Sequence, residues 1–213
     1  QVDFLEIHPD YGMCYTSFDR LFQNERRLEY DLFRSKPGKF PKEYSLESFL
    51  LRGGYVAPPS WVVRSELWNS VPNDRLGSKD GTFVMFSYFL ANSKVHVFEK
   101  PMVVYRVLEE SASHTKDYSK EYARNLSVLN AQLKMIELFG LSEGLADQCR
   151  ERYYRMSLPK FIVNNRKKDI DEARDYIKHK TMRDRVLFAL NRIGGGKYLL
   201  RLTYSLREIW KHR

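Results

Sequence analysis

Ser78-Lys79-Asp80-Gly81-Thr82-Phe83-Val84-Met85-Phe86-Ser87-Tyr88-Phe89-Leu90 is an acidic residue followed by an apolar run long enough for a buried helix. Asp80 is therefore expected at or near that helix's N-terminus, where Asp is a favoured cap. Downstream, Val95-His96-Val97-Phe98 and Met102-Val103-Val104-Tyr105 read as two strands separated by Glu99-Lys100-Pro101. The chain then leaves through Arg106 toward Ser111, Ser113 and His114. A carboxylate at the helix end can take a proton from a substrate hydroxyl if that end faces a cleft. Arg106 and His114 return to it if the two strands pair back beside the helix. The plain alternatives are a helix cap for Asp80 and a solvated loop for Arg106, Ser111, Ser113 and His114.

Upstream, Val2, Phe4, Leu5 and Ile7 already have helical spacing, so the chain opens inside an element and is expected to be a piece of a longer polypeptide. A turn over 8–12 leads to a strand, Met13 to Phe18. Residues 23–43 are charged around Lys36-Pro37-Gly38-Lys39 and read as a surface loop or loose hairpin. Ser45 is placed to cap a short helix, 46–51, that ends at Gly53-Gly54. Pro58-Pro59 excludes a helix and stiffens the approach to a strand, Trp61-Val62-Val63. From Tyr118 the pattern changes to helices over 118–139, 143–163, 170–179, 183–192 and 197–211. The expected class is α/β, with a mixed body over 1–117 and a helical tail over 118–213.

Charge divides the same way. Residues 1–117 carry 15 Lys and Arg against 16 Asp and Glu, whereas 118–213 carry 21 against 11. Residues 178–213 hold ten basic and two acidic side chains beside an apolar stripe that includes Val186, Leu187, Phe188, Ile193 and Tyr198. That tail either packs its stripe on the body or docks on an anionic membrane surface. Nucleic-acid binding is set aside, because no recognised motif accompanies the charge. Cys14 and Cys149 are too few for a disulfide framework and lack metal-ligand spacing, which makes a reducing cytosol the default. Asp169-Ile170-Asp171 reads as helix-start capping and Gly194-Gly195-Gly196-Lys197 as a connector, not as a metal site or a phosphate loop.

In their order, these motifs resemble the C-terminal part of bacterial family 2 glycosyltransferases of the GT-A fold, over roughly residues 1–115. The resemblance runs through the helix at Gln1 to His8 and the strand Tyr11-Gly12-Met13-Cys14-Tyr15-Thr16. It continues through Trp61-Val62-Val63-Arg64, the acidic residue before an apolar helix at Asp80, and the Tyr-Arg strand end at Tyr105-Arg106. It implies a partial GT-A-like mixed sheet with a long C-terminal helical region. Asp80 would be the base that deprotonates the acceptor hydroxyl, and Trp61, Arg64, Tyr105, Arg106, Ser111, Ser113 and His114 would contact substrate. The implied reaction moves a sugar from a nucleotide sugar to a cell-surface polysaccharide or lipid-linked acceptor, with inversion. The resemblance places the nucleotide-binding half and the metal-chelating Asp motif upstream of Gln1. Mg²⁺ or Mn²⁺ is thus expected in the complete enzyme, with no ligand here, and the fragment alone is expected to be inactive. The implied location is cytoplasmic, peripheral at the inner face of the membrane. The alternative function is a noncatalytic helical adaptor docking on anionic membranes through 178–213.

Overall fold

The computed structural model describes residues 1–30, 45–53, 57–108, 117–193 and 195–201. It is mixed α/β and divides into two compact units, Gln1–Ser142 and Glu143–Arg213. In the first unit the sheet is built on β1 (Tyr11–Phe22), a strand buried on both faces from Gly12 to Phe18. β4 (Lys94–Val107) runs parallel to it along its whole length. The antiparallel partners β2 (Arg27–Glu29) and β3 (Val62–Val63) therefore share its opposite edge, at Arg20–Phe22 and Met13–Cys14 respectively. Gly12, expected in a turn, lies inside β1 because the strand passes too close for a side chain. A Cβ there would sit 2.5 Å from Ser93 Oγ and 2.6 Å from Leu67 Cδ2.

The two strands expected over 95–98 and 102–105 are one strand. Its register against β1 shifts at Thr16/Phe98, Ser17/Pro101 and Phe18/Val103, so Glu99 and Lys100 bulge out and pairing resumes. Pro101 has no N–H to give the ladder, and an irregularity is where a strand tolerates it. Because β4 is parallel to β1 and continuous, it does not fold back as a hairpin.

The helices of the first unit follow local chemistry. α1 (Val2–Ile7) precedes β1. α2 (Leu46–Arg52) opens on a reciprocal capping box between Ser45 and Ser48 and closes at Gly53, whose φ of 66° suits glycine. A 3-10 turn over Pro58–Ser60 enters β3, and α3 (Ser65–Asn69) leaves it. α4 (Gly81–Asn92) buries Val84, Met85, Phe86, Ser87 and Phe89, and the Ser87 hydroxyl is satisfied by donating to the Phe83 carbonyl at 2.8 Å. Met13, Tyr15 and Phe49 join Met85, Phe86 and Phe89 in one core, with Trp61, Val63, Val95 and Val97 packed against it. α5 (Tyr118–Leu138), capped by Asp117, belongs to this unit although the composition changes at residue 117. Gln132 Nε2 donates to the Leu50 carbonyl at 2.5 Å, and Tyr88 meets Phe139 edge-on at 5.8 Å.

An aromatic cluster joins α1 to the sheet. Phe4 stacks on His96 at 4.2 Å and lies tilted to His8 at 4.4 Å, with Tyr11 and Phe98 edge-on to it. Burial, then the charge of nearby His8, pushes the His96 imidazole below its ordinary 6.5. Below pH 6.5 the unfolded chain binds a proton that the folded chain resists, so this residue withdraws stability as pH falls. Melting temperatures should therefore drop as pH falls below 6.5. His96→Phe, which keeps the stack, should flatten that slope; an unchanged slope would place its origin elsewhere.

The second unit is helical: α6 (Glu143–Val163), α7 (Lys167–Tyr176) and α8 (Met182–Arg192). Tyr154 on α6 stacks on Tyr176 at 4.9 Å and donates to Glu172 at 2.5 Å. Thr181 and Asp184 form a capping box at the start of α8, and buried Asp184 also pairs with Arg155 of α6 at 3.3 Å. Asp169 lies in the first turn of α7, held by Arg166 at 2.7 Å, but the helix starts earlier than expected, with Arg166 as its N-cap and no side-chain cap hydrogen bond. Gly196 sits against the Leu190 carbonyl, which a Cβ would meet at 1.8 Å. Both cysteines are free and buried, and burial pushes the Cys149 thiol up to about 11. No helix among the described residues is long and apolar enough to cross a membrane.

Candidate functional site

Asp80 is the N-cap of α4, and its Oδ1 accepts the Phe83 N–H at 3.0 Å. Ser78 fixes the backbone before it: its hydroxyl accepts the Asp80 N–H at 3.1 Å and donates to the Asp80 carbonyl at 3.3 Å. Among the described residues, no hydrogen bond or ion pair engages Asp80 Oδ2. The residue is half-buried, and Oδ2 is not among the buried side-chain atoms that lack a hydrogen-bond partner.

An open groove of about 480 Å³ borders the first turns of this helix. Trp61, Val63, Ser65, Trp68, Thr82 and Met85 are among its walls. Its size falls in the range of small-molecule sites, about 300–1,000 Å³. Two indole rings with a few hydroxyl and amide groups suit a sugar, which offers both C–H faces and hydroxyls. Trp68 is 50% exposed on α3. Trp61 packs on Phe86 at 5.7 Å and on Phe89 at 5.9 Å, and its buried Nε1–H has no hydrogen-bond acceptor among the described residues. Asp80 does not line the groove; it stands two residues before Thr82, which does.

The approach to Asp80 is strained. Arg75, Leu76 and Gly77 take successive positive φ values of 45°, 55° and 71°, of which only the glycine is at ease. Asp74 Oδ1 accepts the Leu76 N–H at 3.1 Å, and Lys134 Nζ donates to the Leu76 carbonyl at 3.1 Å, which together hold the turn. Its effect is to lay the Arg75 side chain over Gly81: a Cβ on Gly81 would lie 2.6 Å from Arg75 Nη1. Residue 81 must be glycine for that guanidinium to remain beside the helix start. Arg75, Trp68, Ser65 and Thr82 carry no motif or spacing that marks them as site residues in the sequence.

The other expected site residues are distributed differently. Arg64 is half-buried and tied to the fold: its Nε donates to the Tyr11 carbonyl at 2.9 Å, and Nη2 donates to the Leu5 carbonyl. Arg64→Met is expected to lower stability by about 1.5–3 kcal/mol by releasing α1 from the sheet. A denaturation curve coincident with wild type would contradict that structural role. Tyr105 packs at 6.2 Å from Phe18, in a second small core with Ala57 and Val103. Arg106 is exposed and pairs in register with Leu21, near the end of β1. α4 spans about 18 Å and 14 residues of strand about 46 Å before the bulge is subtracted, so β4 outruns the helix. The fold-back of two strands, on which the return of Arg106 and His114 depended, is absent, because β4 is one continuous strand beside β1. Ser111, Ser113 and His114 lie outside the described residues.

Among the described residues, no three His, Cys, Asp or Glu side chains converge to hold a metal ion. The Mg²⁺ or Mn²⁺ implied by the resemblance therefore has no ligand set among them, and no step is derived through it. Comparisons with protein-family models, with curated proteins and with solved structures find no match.

Proposed function

We propose that the first unit is the acceptor-side part of an inverting glycosyltransferase of the GT-A type, acting on a polysaccharide or lipid-linked acceptor. The observation that carries this reading is the Asp80 carboxylate, fixed through one oxygen at the α4 N-cap and with the other unengaged among the described residues, beside a groove walled by two tryptophans. In the reaction, the acceptor O–H breaks and its proton passes to Asp80 Oδ2. The freed oxygen pair forms the new bond to the anomeric carbon, and the nucleoside diphosphate leaves with the electrons of the old one.

The companion proposal is a nucleotide-binding half outside this chain, which rests on the resemblance alone. The test is sugar transfer by the complete polypeptide carrying Asp80→Ala. Loss of transfer with acceptor binding retained supports the assignment; near-normal transfer removes Asp80 as the base. Nucleotide-sugar turnover by these 213 residues alone would contradict the need for a second half.

A further inference from the structure

α8 has two apolar faces, and only one of them is used. Asp184, Leu187 and Phe188 are buried, with Asp184 held by Arg155 of α6. At about 100° per residue, Met182, Val186, Ala189 and Ile193 fall within one sector of roughly 60°, centred nearly opposite that buried face. All four are exposed: Met182 at 77%, Ile193 at 58%, Val186 at 51%, and Ala189 with them. The capping box and the Asp184–Arg155 pair fix the helix's rotation, so the outward direction of this stripe is set by the fold.

The stripe is bordered by cations. Arg185 and Arg192 follow it on one side and Arg183 on the other, all exposed and without an ion pair among the described residues. Asp184, the single acidic residue of this helix, is buried on the far face. An apolar strip rimmed only by positive charge complements a surface that is apolar within and anionic outside. We infer that α8 is a membrane-docking helix: its Met182, Val186 and Ala189, with Ile193 at its C-cap, enter the headgroup region of an anionic bilayer while the three arginines meet lipid phosphates. Leu187 and Phe188, part of the same apolar run in the sequence, are core and take no part. The inference is independent of the transfer chemistry and concerns the other unit.

The experiment is co-sedimentation of the full chain with vesicles of phosphatidylcholine alone and of phosphatidylcholine mixed with phosphatidylglycerol. Pelleting is expected with the mixed vesicles only and should weaken as salt is raised. Val186→Gln with Ile193→Gln removes the apolar contact without changing charge and should reduce binding at least about tenfold. Arg185→Gln with Arg192→Gln should reduce it about fivefold per charge removed. Both pairs lie on the solvent face, and unchanged helical circular dichroism confirms folding in each. No pelleting, equal pelleting on both vesicle types, or a Val186→Gln/Ile193→Gln variant that binds like wild type would overturn the inference. So would a dimer in sedimentation velocity that this variant dissociates, since the stripe would then belong to a second copy of the chain.

Discussion

Replacing Asp80 by Asn in the complete polypeptide is expected to lower the rate of sugar transfer by about 10²–10⁴-fold, the usual contribution of a positioned general base. Asn is close to Asp as an N-cap, so its side-chain oxygen can still accept the Phe83 N–H and the melting temperature should stay near wild type. Asp80→Ala removes both functions and should cost about 1 kcal/mol of stability as well. The pair of variants separates the roles. A rate that collapses in both while stability falls only in the alanine variant identifies a base that also caps. A rate that follows stability in both identifies a cap alone, and the proposed chemistry would then lose its residue.

The second large effect is expected at Phe86. Its ring is 1% exposed and meets Phe49 at 4.8 Å, Trp61 at 5.7 Å and Tyr15 at 5.9 Å, so α2, α4, β1 and the approach to β3 all converge on it. Phe86→Ala should cost about 3–5 kcal/mol through lost burial and the cavity left behind. That is a large share of the roughly 5–15 kcal/mol that holds a domain together. Because Trp61 rests on this ring and also walls the groove, the same substitution should change tryptophan fluorescence and weaken acceptor binding. Denaturant midpoints measure the first effect and acceptor titration the second. A loss under about 1 kcal/mol would mean that the core around Phe86 closes up far more readily than large-to-small substitutions usually allow.

Local signals suffice where a short-range device sets the structure. Ser45 and Ser48 form a reciprocal cap, Asp80 opens α4, and Tyr118 begins a long helix, each as spacing and capping chemistry require. They do not suffice where distant pairing overrides local propensity. Pro101 reads as a strand break, yet β1 supplies a parallel ladder long enough to continue past it through a bulge. The fold-back that was the condition for Arg106 and His114 to reach Asp80 does not form for the same reason, since strand direction is not written in either segment. Arg64 carries no local sign that its guanidinium will be spent on the carbonyls of Leu5 and Tyr11, one of them 59 residues away. The groove is not legible in the sequence because its walls come from two separate segments, 58–69 through β3 and α3 and the first turns of α4. The basic tail was ambiguous in sequence, because packing on α6 and facing solvent place apolar residues at the same helical spacing. Burial divides them, with Leu187 and Phe188 inside and Val186 and Ile193 outside.

A crystal structure of the complete polypeptide with acceptor bound is expected to show a sugar ring against Trp61 or Trp68 and an acceptor oxygen about 2.6–3.2 Å from Asp80 Oδ2. An acceptor seated elsewhere, or an Asp80 carboxylate with both oxygens taken by backbone amides of α4, would contradict Asp80 as the base.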